Sequence, residues 1–259
     1  MVKLKKYSGF LKLFVIFLTL FSIVCCCPKK YNLTTINGRQ LPVTEKIEKN
    51  AEIEKFITPY RNHINHDLDS VLAYSAETLD KTIGKWQSNI GNLMADICFE
   101  SGNKFFLLRE KKNLDLCLLN HGGIRSILPK GNVTTRTAFE IMPFENNLVV
   151  LALKGEQISE MVSYIIKEKK PHPISGMTFT ITKRNTPKDI TIQGQPLDTS
   201  KIYYVATNDY LANGGDNMIF FQKSVHKYDL NYKLRNMLID YFKKVDTIPI
   251  VKNIRITEE

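Results

Sequence analysis

Apolar residues in this chain recur either at helical spacing or in short unbroken runs. Ser88 to Phe99 (SNIGNLMADICF) places Ile90, Leu93, Met94 and Ile97 on one helical face, with Ser88 as N-cap. Thr44 to about Ile64 carries Ile47, Ile53, Phe56 and Ile57 among charges, an amphipathic helix with a break expected near Pro59. Gly155 opens a short helix through about Lys167. Asn231 to Phe242 spaces Leu234, Leu238 and Phe242 for another. Strands are expected at Ser70 to Ser75, Leu114 to Leu119, Leu148 to Leu153, Met177 to Thr182, Ile202 to Ala206 and Asn253 to Thr257. The run Leu148 to Leu153 has no polar interruption, so both of its faces should be covered. Helices and strands are mixed without strict alternation, which predicts an α+β fold.

The first thirty residues follow a different pattern. Lys3, Lys5, Lys6 and Lys12 form a positive region, and Leu13 to Val24 is an apolar run of signal-peptide length, short for a membrane span. Cys25, Cys26 and Cys27 follow. Ile23-Val24-Cys25 before Cys26 loosely matches a lipoprotein processing site, which makes Cys26, with Cys25 and Cys27 as alternatives, the lipidation candidate. An uncleaved anchor and an ordinary signal peptide are the other readings. Each places the body outside the cytoplasm, and the first makes it an envelope lipoprotein. Residues 28–44 are polar, with Pro28, Gly38 and Pro42, and read as a tether to a domain spanning 45–259. Cys98 and Cys117 sit in apolar stretches and read as buried thiols.

A net charge of +10 suits an anionic ligand or surface, but no basic block interleaved with aromatics marks a nucleic-acid groove. Two loops carry candidate chemistry. Asn120-His121-Gly122-Gly123-Ile124-Arg125 follows a buried strand. Its glycines let the backbone approach a ligand, Asn120 can read a heterocycle edge, and Arg125 suits a phosphate or carboxylate. Asn208 to Asp216 (NDYLANGGD) also follows a strand and offers an aromatic face at Tyr210 and a diol acceptor at Asp216. Each loop, taken alone, reads equally well as a tight turn. Phe144, after Pro143 at a strand entrance, reads alone as a core residue.

Together with Gly91-Asn92-Leu93-Met94-Ala95-Asp96, these segments resemble the C-terminal domain of the 5′-nucleotidase family over about residues 45 to 257. The resemblance implies a four-layered α/β/β/α body that clamps a nucleotide or nucleoside. It would place Phe144 and Tyr210 around the base, Asn120 on the base, Arg125 on the phosphate and sugar side and Asp216 on the ribose hydroxyls, with Gly123 and Asn213 shaping the loops. Tyr210 stands where Phe is usual. An arginine usual before the Gly-Asn-Leu helix is missing, and Lys85 is its nearest substitute. Family enzymes hydrolyse phosphate esters with two metals held in a separate domain, whose Asp-x-His and Gly-Asn-His-Glu/Asp signatures do not occur here. His63 and His66 share a helix face without a third ligand. The expectation is a chain with no cofactor of its own: a binding component served by a separate metallophosphoesterase chain carrying divalent metals such as Mn or Zn. The alternative is a stand-alone lipoprotein that captures nucleosides.

Overall fold

The computed structural model describes residues 5–24 and 32–259, in two compact units, Met1–Ala51 and Glu52–Glu259. In the first, α1 (Lys5–Val24) carries the apolar run, and residues 32–50 are exposed chain with one turn closed from Ile47 N–H to Thr44 O. Cys25, Cys26 and Cys27 lie outside the described residues. Among those residues no helix is long and apolar enough to cross a membrane.

The second unit opens on α2 (Ala51–Leu68), which starts later than its apolar pattern suggested and continues through Pro59. The helix buries no residue, so water can satisfy the carbonyl that Pro59 leaves without its amide partner. After it come β1 (Val71–Ser75) and the long α3 (Asn89–Glu110). Ser88 caps α3 by accepting the Gly91 N–H. A Cβ at Gly91 would stand 2.8 Å from the Ser88 hydroxyl, so glycine leaves room for the cap. Next are β2 (Leu116–Leu118), β3 (Gly131–Thr134), α4 (Thr135–Ile141), β4 (Asn147–Lys154) and α5 (Gly155–Glu168). Four strands follow: β5 (Ile174–Ser175), β6 (Met177–Ile181), β7 (Pro187–Ile192) and β8 (Gln195–Pro196). The chain closes with β9 (Ile202–Asn208), α6 (Asp209–Ala212), β10 (His226–Lys233), α7 (Leu234–Lys244), β11 (Thr247–Ile248) and β12 (Ile256–Glu258).

A five-stranded sheet in the order β10-β4-β9-β2-β5 forms the centre. Side chains alternate across it. Leu148 and Val150 of β4, Cys117 of β2 and Ala206 of β9 face a core shared with α3, α4 and α7. Val149, Leu151 and Leu153, with Leu116, Leu118 and Val205, face a second core built from α5 and the four-stranded sheet β12-β6-β7-β8. The β4 run is therefore covered on both faces, and the α+β, four-layered α/β/β/α organisation is present. A smaller sheet, β11-β1-β3, completes the body.

The start of the last helix moved. Asn231 to Lys233 belong to β10 rather than to the last helix, because β10 returns to antiparallel pairing with β4 at Lys233–Asn147, across a register shift that begins after Asp229. The Gly91–Asp96 segment has a structural role. Asp96 accepts from Ser175 and from the buried Arg255, and Arg255 also donates to the carbonyls of Asn92 and Ile174. This network fastens the C-terminal strand to α3. Cys98 and Cys117 are buried free thiols, and burial lifts Cys98 to about 12.

Candidate functional site

Three strand ends converge on one edge of the central sheet. β2 and β9 run parallel, so the chain leaves both on the same side, while β4 is antiparallel to β9 and begins there. The loop after β2 carries Asn120 to Arg125. The segment before β4 carries Phe144 and Asn146. The turn after β9 carries Tyr210 and Asp216. Asn120, Gly122, Gly123, Arg125, Phe144, Asn146, Tyr210 and Asp216 line a single cavity of about 450 Å³. Phe144 and Tyr210 bring their rings to it 39% and 47% exposed, so the aromatic surface is available and Phe144 is not a core residue.

Hydrogen bonds tie the two loops together. Asn120 is buried, and its amide nitrogen donates to Asp216 Oδ2 at 2.7 Å. The Tyr210 hydroxyl donates to Asp216 Oδ1 at 2.8 Å and accepts the Asp216 N–H at 3.2 Å. The carboxylate lifts the Tyr210 phenol above its ordinary pKa, which keeps it a donor. From α5, the Tyr164 hydroxyl donates to the Asp216 carbonyl at 2.7 Å. Asp216 itself is left-handed, at φ 52° and ψ 27°, a backbone state that such contacts must hold in place. Gly215 lies under the Tyr210 ring, where a Cβ would come within 2.4 Å of the ring carbons. Asn213 does not line the cavity; its carbonyl accepts from the Gln222 amide at 2.9 Å and shapes the turn from outside.

The remaining walls are set from farther away. Arg235, buried at the start of α7, donates to the carbonyls of Pro143 and Phe144 and pairs with Glu145. Its guanidinium lies 4.1 Å from the centroid of the Phe139 ring. Arg235 and Lys233 together hold the Glu145 carboxyl down to about 2. Arg125 is exposed, with its guanidinium 6.0 Å from the Phe144 ring centroid and its N–H on the Ile141 carbonyl. Lys81 donates to the Ile124 carbonyl, and burial together with the nearby Arg125 charge lowers its pKa. Behind the first loop, buried His172 accepts the His121 N–H at its Nδ1. Burial, then the charges of His121 and Lys170, bring His172 down to about 4.

Lys85 does not take the place of the missing arginine. It is exposed and pairs with Glu258 at 2.6 Å, away from the cavity lining. The second cation beside Arg125 is Lys81, which no local pattern singled out. His63 and His66 are exposed on α2, each about as near to Asp67 as a weak ion pair requires. Among the described residues no group of three or more His, Cys, Asp or Glu side chains is arranged to hold a metal ion.

Known proteins share this architecture. The family described as the 5′-nucleotidase C-terminal domain matches residues 71–223. The trifunctional nucleotide phosphoesterase protein YfkN of Bacillus subtilis is 26% identical over 79% of this chain and 15% of its own length. The 5′-nucleotidase of Mus musculus is 23% identical over 85% of this chain and 42% of its own. A 5′-nucleotidase precursor from Thermus thermophilus superposes with a TM-score of 0.68 at 22% identity, over 79% of this chain and 42% of that one. The chain spans less than half the length of these relatives. With more than half of its residues inside the family match, and the cavity built from the loops that carried the resemblance, the chain belongs to the 5′-nucleotidase C-terminal domain family.

Proposed function

We propose that this protein is the nucleotide- or nucleoside-binding specificity component of a split 5′-nucleotidase acting in nucleotide catabolism. The observation that carries this reading is the shared cavity of Asn120, Phe144, Tyr210 and Asp216, drawn from three distant stretches of the chain. In it, Phe144 and Tyr210 stack on the base. Asn120 spends one amide hydrogen on Asp216 and keeps its carbonyl oxygen and second hydrogen for a base edge. Asp216 takes the ribose hydroxyls, and Arg125, with Lys81 outside the cavity lining on the Ile124 carbonyl, supplies the cationic side toward a phosphate.

Hydrolysis then needs two metals, such as Mn or Zn, held by a separate metallophosphoesterase chain. That the relatives are described as nucleotidases and phosphoesterases supports the partnership. The apolar run before Cys25-Cys26-Cys27 supports export and a lipid anchor on the cell envelope, with Cys26 as the modified residue. The pairing of Lys85 with Glu258 favours a second reading. With only Arg125 and Lys81 on the phosphate side, the protein captures nucleosides and has no hydrolytic role.

The test combines calorimetry with reconstitution. Adenosine and AMP are titrated into the protein, which is then mixed with a metallophosphoesterase from the same organism while phosphate release from AMP is followed. The split-enzyme reading expects nucleotide binding and a faster release in the mixture. Binding without association or rate change leaves the capture reading, and absence of binding to either ligand removes both.

A further inference from the structure

Asp216 is held at four points. Tyr210 Oη donates to Oδ1 and accepts the N–H, Asn120 donates to Oδ2, and Tyr164 donates to the carbonyl. Its left-handed backbone is a conformation that an aspartate adopts only with local support. Each carboxylate oxygen has two acceptor sites, and the protein's own donors occupy one on each. One acceptor site per oxygen is left on a carboxylate that lines the cavity. Two such sites side by side match two adjacent hydroxyl donors. A sugar with one hydroxyl uses half of them.

The phenol ring and the phenol oxygen of Tyr210 therefore do different things. The ring, seated on Gly215, supplies a flat face. The oxygen fixes the rotation of the Asp216 carboxylate from the side opposite Asn120. A phenylalanine would keep the first and lose the second, and Oδ1 would then be free to turn away from the diol geometry.

Resting on the ligand class proposed above, we propose that Tyr210 is a positioning residue whose hydroxyl locks Asp216 to receive a vicinal diol, so that the site selects ribonucleosides over 2′-deoxyribonucleosides.

Calorimetry with adenosine and 2′-deoxyadenosine on the wild type, Tyr210→Phe and Asp216→Asn tests this. The wild type should prefer adenosine. In Tyr210→Phe, adenosine affinity should fall about tenfold, as expected for losing hydrogen bonds to a charged group, while 2′-deoxyadenosine changes less than about threefold. Asp216→Asn should erase the preference with Tyr210 intact. Tyr210 is half exposed, so the fold should survive, and circular dichroism checks that it does. An equal loss of both ligands in Tyr210→Phe, or no loss of either, overturns the positioning role. Retained preference in Asp216→Asn overturns diol reading at that carboxylate. A wild type that binds neither nucleoside overturns this inference, and the proposed function falls with it only if AMP binding is absent as well.

Discussion

Asn120 and Asp216 stand 96 residues apart in the chain and meet as donor and acceptor at 2.7 Å, joining the loop after β2 to the turn after β9. Because the two act as one unit, their contributions to ligand binding should not add. Asn120→Ala and Asp216→Ala are each expected to weaken adenosine binding about tenfold or more. The double variant should lose much less than the sum, with a coupling energy of about 1 kcal/mol or above in a calorimetric double-mutant cycle. Additive losses would show that the pair is incidental.

Gly215 should tolerate alanine in the fold but not in the site. The added methyl meets the Tyr210 ring carbons, and a half-exposed ring can swing away at little cost to the core. Gly215→Ala is therefore expected to shift Tm by no more than a few degrees while adenosine affinity drops about tenfold, the worth of a base–aromatic stack. A large Tm loss with retained affinity would be the opposite of this expectation.

Arg235 is the support of Phe144. It is buried, and it donates to two carbonyls of the Pro143-Phe144 turn and to Glu145. Arg235→Met should lower stability by about 1–3 kcal/mol in urea denaturation, since it leaves the Pro143 and Phe144 carbonyls without their donor, while Lys233 keeps Glu145 paired. Ligand affinity should fall as well, although Arg235 does not line the cavity. An unchanged urea midpoint would place the stability of this turn elsewhere.

The pH dependence of stability follows from His172. Its folded pKa, about 4, lies below its ordinary value of 6.5 because burial disfavours the charged ring. Between those values the unfolded chain takes up a proton that the folded one refuses. Stability is therefore lost as pH falls from about 6.5 toward 4, by an amount on the order of 3 kcal/mol. In His172→Asn an amide oxygen can still accept the His121 N–H without titrating. That variant should show a flatter stability profile over the same window, measured by denaturant midpoints at pH 7, 5.5 and 4.5. Parallel profiles for the two proteins would contradict the assignment.

How much of this was legible in the sequence follows from burial. β2, β4 and β9 are enclosed on both faces, so they appear as unbroken apolar runs, and α3 and α5 have broad buried faces at helical spacing. β10 buries only Leu230 and β7 only Ile192, and neither has enough apolar positions to announce a strand. The short β3 and α4 went unseen for the same reason, although Thr134 and Thr137 form a capping box at their junction. In the site, the residues on the loops themselves were legible. Lys81, Asn146, Tyr164 and Arg235 were not, because their partners lie far off in sequence. Arg235 left one trace: it shares the buried face of α7 with Leu238 and Phe242, where an arginine needs a partner.

The parallel pairing of β2 with β9 has a consequence for how such a protein can change over time. Neighbouring strands in a sheet keep a fixed spacing of about 4.8 Å, so the anchor points of the two loops stay fixed whatever occupies the loops. Side chains at the tips can then be exchanged one at a time while the packed interior is left alone. A new ligand preference would call for substitutions at Phe144, Asn146 or Tyr210 and for no revision of the framework beneath them.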